Sequence, residues 1–169
     1  MGTLVDELAA TAIGGTFNQY AHSAALRERL GRYLEERSDA PLLLVGEAAG
    51  YRGARVSGIP FTSERQFSGS GPAEATATIV HATLRELGIE DHVLLWNVVP
   101  THPGTERSNR PPTRAEIEAG VRFARELAHR RRVIAVGRLA QRALGAPYVR
   151  HPSHGGAGAF RENLRSCLS

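Results

Sequence analysis

Short runs of consecutive apolar residues alternate along the chain with longer segments in which apolar residues recur at helical spacing. Continuous apolar runs of four to eight residues are typical of strands buried on both faces of a parallel sheet. The runs that predict strands lie at 41–46, 92–99, 132–137 and 147–153. The segments that predict helices lie at 22–36, 72–87, 113–129, 138–144 and 159–168. Strands that alternate with helices predict a parallel sheet with helices on both faces.

Polar residues follow three of the predicted strands at the point where each strand ends. Gly46 and Glu47 follow the first strand, Asn97 lies at the end of the second, and a His-Pro-Ser sequence beginning at His151 closes the fourth. In open parallel sheets, ligands bind beyond the carboxyl ends of the strands. These three segments therefore predict one crevice at that edge, flanked by irregular segments at 47–71 and 101–112.

Composition narrows the classes of protein that this pattern can represent. The chain has 169 residues, the length of one domain, and 21 arginines, no lysine and 17 acidic residues give it a net charge of +4. A basic balance is a weak indication of nucleic-acid binding. The absence of lysine removes the side-chain amine that Schiff-base enzymes use. The single cysteine, Cys167, excludes an intrachain disulfide, a four-cysteine zinc site and a self-contained four-thiolate iron–sulfur cluster.

Targeting signals do not stand out in the sequence. No apolar run approaches the roughly 18 residues that a membrane span needs. The first residues carry Asp6 and Glu7 and lack the basic start of a secretory signal. We therefore expect no membrane association and a location in the cytoplasm, the bacterial cytosol or nucleoid.

Four sequence motifs occur in an order that resembles a known family. They are GEAAG at 46–50, GIPF at 58–61, a segment from Asn97 to the Asn-Arg-Pro at 109–111, and HPS at 151–153. Together they resemble the uracil-DNA glycosylase superfamily, most closely its iron–sulfur branch, over roughly 42–163. The resemblance implies one domain over 1–169, a three-layer α/β/α sandwich around a four-stranded parallel sheet.

The resemblance also implies a role for each motif. Phe61 would stack on a base flipped out of DNA, and the amide of Asn97 would read the edge of that base. His151 would donate a hydrogen bond to O2 of the departing uracil, and Glu47 would hold water and stabilise positive charge on the sugar. The residues that would surround the base are Gly46, Ala48, Gly50, Phe61, Asn97, His151 and Ser153.

Several positions depart from the family pattern. Cys167 stands alone, so the iron–sulfur cluster is not expected, and no other cofactor is implied. Ala48 stands where the best-known branch has an aspartate that aligns water, and Gly50 stands where it has a tyrosine that excludes thymine; Tyr51, one position later, is an open substitute. The residues after Ser153, beginning with His154, are small and provide no apolar wedge to fill the hole left in a duplex. Single-stranded DNA, mispaired sites or free nucleotides become more plausible substrates.

Basic residues near the crevice are candidates for phosphate binding, because backbone contacts supply most of the affinity for nucleic acids. The candidates are Arg52, Arg55, Arg107, Arg110 and His154. A metal site built from His102, His151 and His154 is not favoured, because no cysteine or His-x-Glu partner has suitable spacing.

The leading hypothesis is a monofunctional DNA glycosylase, expected to be monomeric, that removes uracil or a related deaminated base from DNA and leaves an abasic site. Two alternatives remain open. The same pocket could hydrolyse or bind free nucleosides or nucleotides, or it could be a non-catalytic reader of damaged DNA. The sequence leaves open the preferred base and whether single or double strands are used.

Overall fold

The structure is a computed structural model that describes residues 2–169. The strands are β1 (Leu42–Ala48), β2 (Val93–Val99), β3 (Gly104–Thr105), β4 (Ser108–Asn109), β5 (Arg132–Val136) and β6 (Tyr148–Val149). Four of them form one parallel sheet in the order β2-β1-β5-β6, and β3 pairs with β4 in a small antiparallel hairpin. The predicted four-stranded parallel sheet is confirmed.

Helices cover both faces of this sheet. They are α1 (Gly2–Ala10), α2 (Gln19–His22), α3 (Ala24–Glu36), α4 (Ala54–Ser57), α5 (Glu64–Ser68), α6 (Ala75–Glu86), α7 (Arg114–Leu127), α8 (Arg138–Leu144) and α9 (Ala157–Leu168). Apolar residues of α1, α3, α7 and α8 pack on one face, and those of α6 and α9 pack on the other. This arrangement is the three-layer α/β/α sandwich that the sequence predicts.

Side chains of each central strand alternate between the two faces of the sheet. Leu43 and Val45 point into the core under α1, α3 and α7, whereas Leu44 joins the opposite core with α6 and α9. Trp96 is fully buried on the first face, so its neighbour Asn97 projects from the second. Because β1 and β2 are parallel, with Gly46 opposite Asn97, their polar ends meet at one edge.

The segment 47–71, which the sequence indicates as one long loop, contains two short helices. The first, α4, is followed by Gly58 as its C-cap residue. The second, α5, begins with a capping box in which Ser63 and Gln66 bond reciprocally. Helices of four and five residues are too short to produce a detectable apolar period. The predicted helix at 72–87 begins only at Ala75, since Glu74, its N-cap residue, has an extended backbone.

Other boundaries also differ from prediction. The fourth strand comprises two residues rather than seven, because the chain turns at His151 to bond with Ser153. The last helix begins at Ala157, two residues before the predicted start at position 159. Helices α1 and α2 are not predicted by the sequence analysis. None of the helices within residues 2–169 is long and apolar enough to cross a membrane.

Candidate active site

A cleft of about 830 Å³ opens at the carboxyl edge of the parallel sheet. This volume is typical of sites for small organic ligands. Nine of the residues proposed from the sequence as catalytic, base-binding or phosphate-binding line it: Glu47, Ala48, Gly50, Arg52, Phe61, Asn97, His151, Ser153 and His154. Residues from the ends of four strands therefore surround a single space, as expected for a doubly covered parallel sheet.

The ring of Phe61 lies against the backbone of Gly46 at one wall of this cleft. A Cβ atom at position 46 would overlap the ring, so glycine is required there. Phe61 has a positive φ of 52°, a conformation that costs an aromatic residue energy. The turn is held by Ser57, whose Oγ donates to the carbonyl of Thr62 at 2.6 Å. The strained backbone at Phe61 thus places its aromatic ring at the wall of the cleft.

The side chain of Asn97 is 4% exposed and faces the cleft. Its Oδ1 lies beside Gly46, 3.1 Å from where a Cβ of that residue would stand. None of the side-chain hydrogen bonds among residues 2–169 involves this amide. Within the described residues, the buried side-chain polar atoms that lack a partner are Gln19 Oε1, Arg37 Nε and Trp96 Nε1, so the Asn97 amide is reached by solvent from the cleft. Asn97 therefore presents to the cleft an amide that has a donor and an acceptor available.

His151 is held in one tautomer by Ser153. The backbone N–H of Ser153 donates to His151 Nδ1 at 3.1 Å, and the Ser153 hydroxyl lies 2.7 Å from the same atom. A neutral imidazole whose Nδ1 accepts a hydrogen bond carries its proton on Nε2. Burial, together with the nearby His154 and Arg150, lowers the pKa of His151, which favours this neutral form. His151 is thus prepared as a hydrogen-bond donor.

Glu47 lies at the end of β1, where its side chain remains accessible to solvent from the cleft. Partial desolvation by the cleft walls raises the pKa of its carboxyl group above the usual 4.5. No ion pair involves Glu47 among the described residues. An unpaired carboxylate that contacts both solvent and a ligand cleft is suited to hold a water molecule and to accept a proton from it.

Positive charge lines the same cleft. Arg52 and His154 were predicted from the sequence, and Arg138 and Arg142 of α8 were missed. The last two lie four residues apart, and therefore on one side of the helix that follows β5. Their position after a strand end was a signal that could have identified them. Sequence analysis also missed Glu74, which precedes α6 and carried no recognisable motif.

The other predicted phosphate candidates have different surroundings. Arg55 and Arg107 line a second, smaller hollow of about 360 Å³ beside the cleft, and Arg55 also lies 3.5 Å from Glu106. Arg110 forms a bidentate ion pair with the buried Glu116, with N–O distances of 2.7 and 2.8 Å. Because this pair occupies the Arg110 guanidinium, we leave Arg110 out of the proposed phosphate contacts.

The three histidines considered as metal ligands do not converge. His102 is fully buried, and its ring nitrogens lie 2.7 Å from the carbonyl oxygens of Ala49 and Thr105. It therefore braces the turn after β1 against the β3–β4 hairpin. Within residues 2–169 no group of three or more side chains of metal-binding type is placed to hold an ion.

Comparisons with known proteins agree with this architecture. The fold and the cleft define the chain as a three-layer α/β/α protein with a ligand-sized cleft at the carboxyl edge of its parallel sheet. A family model described as the uracil DNA glycosylase superfamily matches residues 34–165, so the chain belongs to that superfamily. Among solved structures it is similar to wild-type SMUG2 of Pedobacter heparinus, with a TM-score of 0.70 and 12% identity over 99% of this chain and 96% of that one. No curated protein matches the sequence.

Proposed function

We propose that this chain is a monofunctional DNA glycosylase that hydrolyses the N-glycosidic bond of uracil, or of a related deaminated base, and leaves an abasic site. The observation that carries the proposal is the convergence of Phe61, Asn97, His151 and Glu47 on one cleft. Together they provide a stacking face, a base-reading amide, an oriented donor and an open carboxylate. Membership of the uracil DNA glycosylase superfamily supports the same assignment.

Base recognition would rest on Phe61 and Asn97. The base must leave the helical stack to enter the cleft, where the ring of Phe61 replaces some of the lost stacking. The amide of Asn97 can donate from Nδ2 to uracil O4 and accept at Oδ1 from N3–H. Cytosine presents the opposite arrangement, an amino donor at C4 and an acceptor at N3, so the same orientation of the amide rejects it.

During bond cleavage His151 would stabilise the negative charge on the base, and Glu47 would stabilise the positive charge on the sugar. As the bond between N1 and the sugar C1′ breaks, its electron pair leaves with the base, and His151 Nε2–H stabilises the charge on O2. Water adds its oxygen to C1′, and Glu47 accepts a proton from it while offsetting positive charge on the sugar. The proton taken up by Glu47 passes through solvent to the departing base, which becomes neutral uracil, and the Glu47 carboxylate is restored. Since the chain has no lysine, no side-chain Schiff base follows, and the abasic strand stays intact.

Single-stranded DNA would be the better substrate. The segment after Ser153 begins with His154 and two glycines, and its first large apolar residue, Phe160, is fully buried in the core. No apolar side chain in this segment is therefore placed to fill a duplex stack. Arg52, Arg138 and Arg142 line the cleft and would contact the phosphates that flank the base.

A panel of oligonucleotides tests this proposal. Each would contain one uracil, hypoxanthine, xanthine or thymine, in single- and double-stranded form, and would be treated with alkali after incubation. We expect alkali-dependent cleavage at uracil, faster in the single strand. Release of base from free nucleotides but not from DNA would support a nucleotide hydrolase instead. Binding without any release of base would support a non-catalytic reader.

A further inference from the structure

The cleft contains a second carboxylate, Glu74, that the proposed hydrolysis does not use. Glu74 is the N-cap residue of α6, yet its side chain makes no capping hydrogen bond to that helix. It is half-buried, and burial raises the pKa of its carboxyl group. Within residues 2–169 its carboxylate makes no salt bridge and no hydrogen bond, and the Thr78 hydroxyl donates only to its backbone carbonyl. The side chain is therefore directed into the cleft without supporting the fold through any polar contact.

Two glycines in the turn after β1 make room for this carboxylate. A Cβ atom at Gly50 would overlap Glu74 Oε2, and one at Gly53 would lie 2.7 Å from the same oxygen. Neither distance is possible for a real side chain, so the carboxylate packs directly on the backbone of the turn. Glu74 thus occupies the volume that a side chain at position 50 would fill.

The turn and Glu74 lie on one particular side of the cleft. The N–H of Ala49 donates to the carbonyl of Val99 at 3.2 Å, so the turn leans on the end of β2. His151 follows β6, at the opposite end of the sheet. A pyrimidine with O2 at His151 and with N3 and O4 at Asn97 has its C5 edge beyond O4, away from His151. In that orientation the C5 edge would face the turn and Glu74, both of which line the cleft.

We propose that Glu74 is a specificity-determining residue that closes the C5 side of the base pocket. This inference rests on the proposed function, because it takes the orientation of uracil given above. A base with hydrogen at C5 fits beside the carboxylate. The 5-methyl group of thymine would have to displace the Glu74 side chain or strip water from its oxygens, and both cost energy.

The test compares uracil and thymine in otherwise identical single strands, with enzyme in excess so that slow release is measurable. Glu74→Ser removes the bulk of the side chain and supplies a residue that is favoured at a helix N-cap, which protects α6. Glu74→Gln keeps the shape and loses only the charge. For Glu74→Ser we expect the ratio of thymine to uracil rates to rise by about tenfold or more, the usual effect of one methyl group in a pocket. For Glu74→Gln we expect the wild-type ratio.

Other results would overturn the inference. A folded Glu74→Ser enzyme that keeps the wild-type ratio would show that Glu74 does not form this wall. A loss of uracil release in Glu74→Gln would assign Glu74 to catalysis instead. If Glu74→Ser fails to fold, Glu74→Asp provides the same comparison with a shorter side chain and a strong N-cap. A wild-type protein that releases no uracil would refute the proposed function itself, a result distinct from either of these.

Discussion

Glu116 and Glu47 are glutamates of the same fold with opposite surroundings. Glu116 is 1% exposed and accepts hydrogen bonds from the Arg110 guanidinium and from the backbone N–H groups of Gly15 and Thr113. These donors, Arg110 first among them, lower the pKa of Glu116 to about 2. Glu47 has no such partners, and desolvation raises the pKa of its carboxyl group instead.

The difference separates a carboxylate that supports the fold from one that is available for chemistry. Glu116 joins the start of α7 to the segment before α2, so its charge is fully used within the protein. A carboxylate held only by water and cleft walls gives up stability at neutral pH, because its ionised form is poorly stabilised in the folded state. Such unsatisfied groups cluster where a ligand completes them.

Replacing Glu47, the carboxylate without a partner among residues 2–169, should have the largest effect on the rate of uracil release. We expect Glu47→Gln to lower the rate of uracil release by about 10²–10⁴-fold, the usual contribution of a general base. The melting temperature should stay the same or rise slightly, because the substitution removes an unpaired charge. Single-turnover assays and thermal unfolding measure the two effects. Glu118→Gln, on the exposed face of α7, is the matched control and should leave the rate unchanged.

Removing the oriented donor should have the next largest effect. His151→Ala removes a hydrogen bond that strengthens as charge develops on the base, so kcat should fall by about 10²–10³-fold. Ser153→Ala keeps the backbone donor to Nδ1 and should cause a much smaller loss. Binding of single-stranded DNA, measured by fluorescence anisotropy, should persist in both variants. Equal losses of kcat in the two variants would contradict the role of the backbone N–H in fixing the tautomer.

The dependence of the rate on pH follows from the two shifted pKa values. Both active forms are deprotonated: Glu47 must be ionised and His151 neutral. The pKa of Glu47 is raised above 4.5 and that of His151 is lowered below 6.5, so the rate should fall on the acid side of neutrality and level off above about pH 6.5. A profile of kcat/KM against pH measures this limb. An acid limb that is unchanged in Glu47→Gln would show that Glu47 does not contribute to it.

Replacing Glu116, the carboxylate paired with Arg110, should lower the stability of the protein and leave the rate of uracil release unchanged. Glu116→Gln replaces one acceptor oxygen of a buried side chain with an NH₂ donor that would face the donors of Arg110 and Thr113, and we expect a loss of about 2–3 kcal/mol in the free energy of unfolding. The melting temperature should fall by about 5–10 °C. At a temperature where the variant is folded, uracil release should remain near the wild-type rate.

The same variant also provides a pH test of the comparison. A carboxyl group whose pKa is lowered on folding stabilises the protein above its unfolded pKa, and this contribution disappears as the pH falls toward the folded value. The stability advantage of wild type over Glu116→Gln should therefore shrink between about pH 4.5 and pH 2. A constant advantage across this range would contradict the assigned role of the ion pair.

The sequence predicts the layered fold well because strands that are buried on both faces consist of uninterrupted apolar residues. The runs at β1, β2 and β5 and the helical spacing at 113–129 all correspond to elements of the structure. Helices α4 and α5 escape prediction because four or five residues cannot show a period. The fourth strand is shorter than predicted because the chain leaves the sheet after Val149, ahead of the turn in which the Ser153 N–H donates to His151 Nδ1.

The candidate site was predictable where a residue lies at a strand end. Asn97 stands out as an amide within an apolar run, and His151 follows the last strand. Glu74 could not be found, because its position depends on the contact of α6 with two distant glycines. The surroundings of Arg110 were equally hidden, since only the folded chain shows that its guanidinium is occupied by Glu116.

The most direct measurement follows free uracil and abasic sites together. A single-stranded oligonucleotide with one deoxyuridine would be incubated with the protein, the free base quantified by chromatography, and abasic sites counted by alkaline cleavage. We predict equal amounts of free uracil and abasic sites, with strands intact before alkali and with Glu47→Gln strongly impaired. A folded wild-type protein that releases no uracil from either single- or double-stranded DNA would contradict the account.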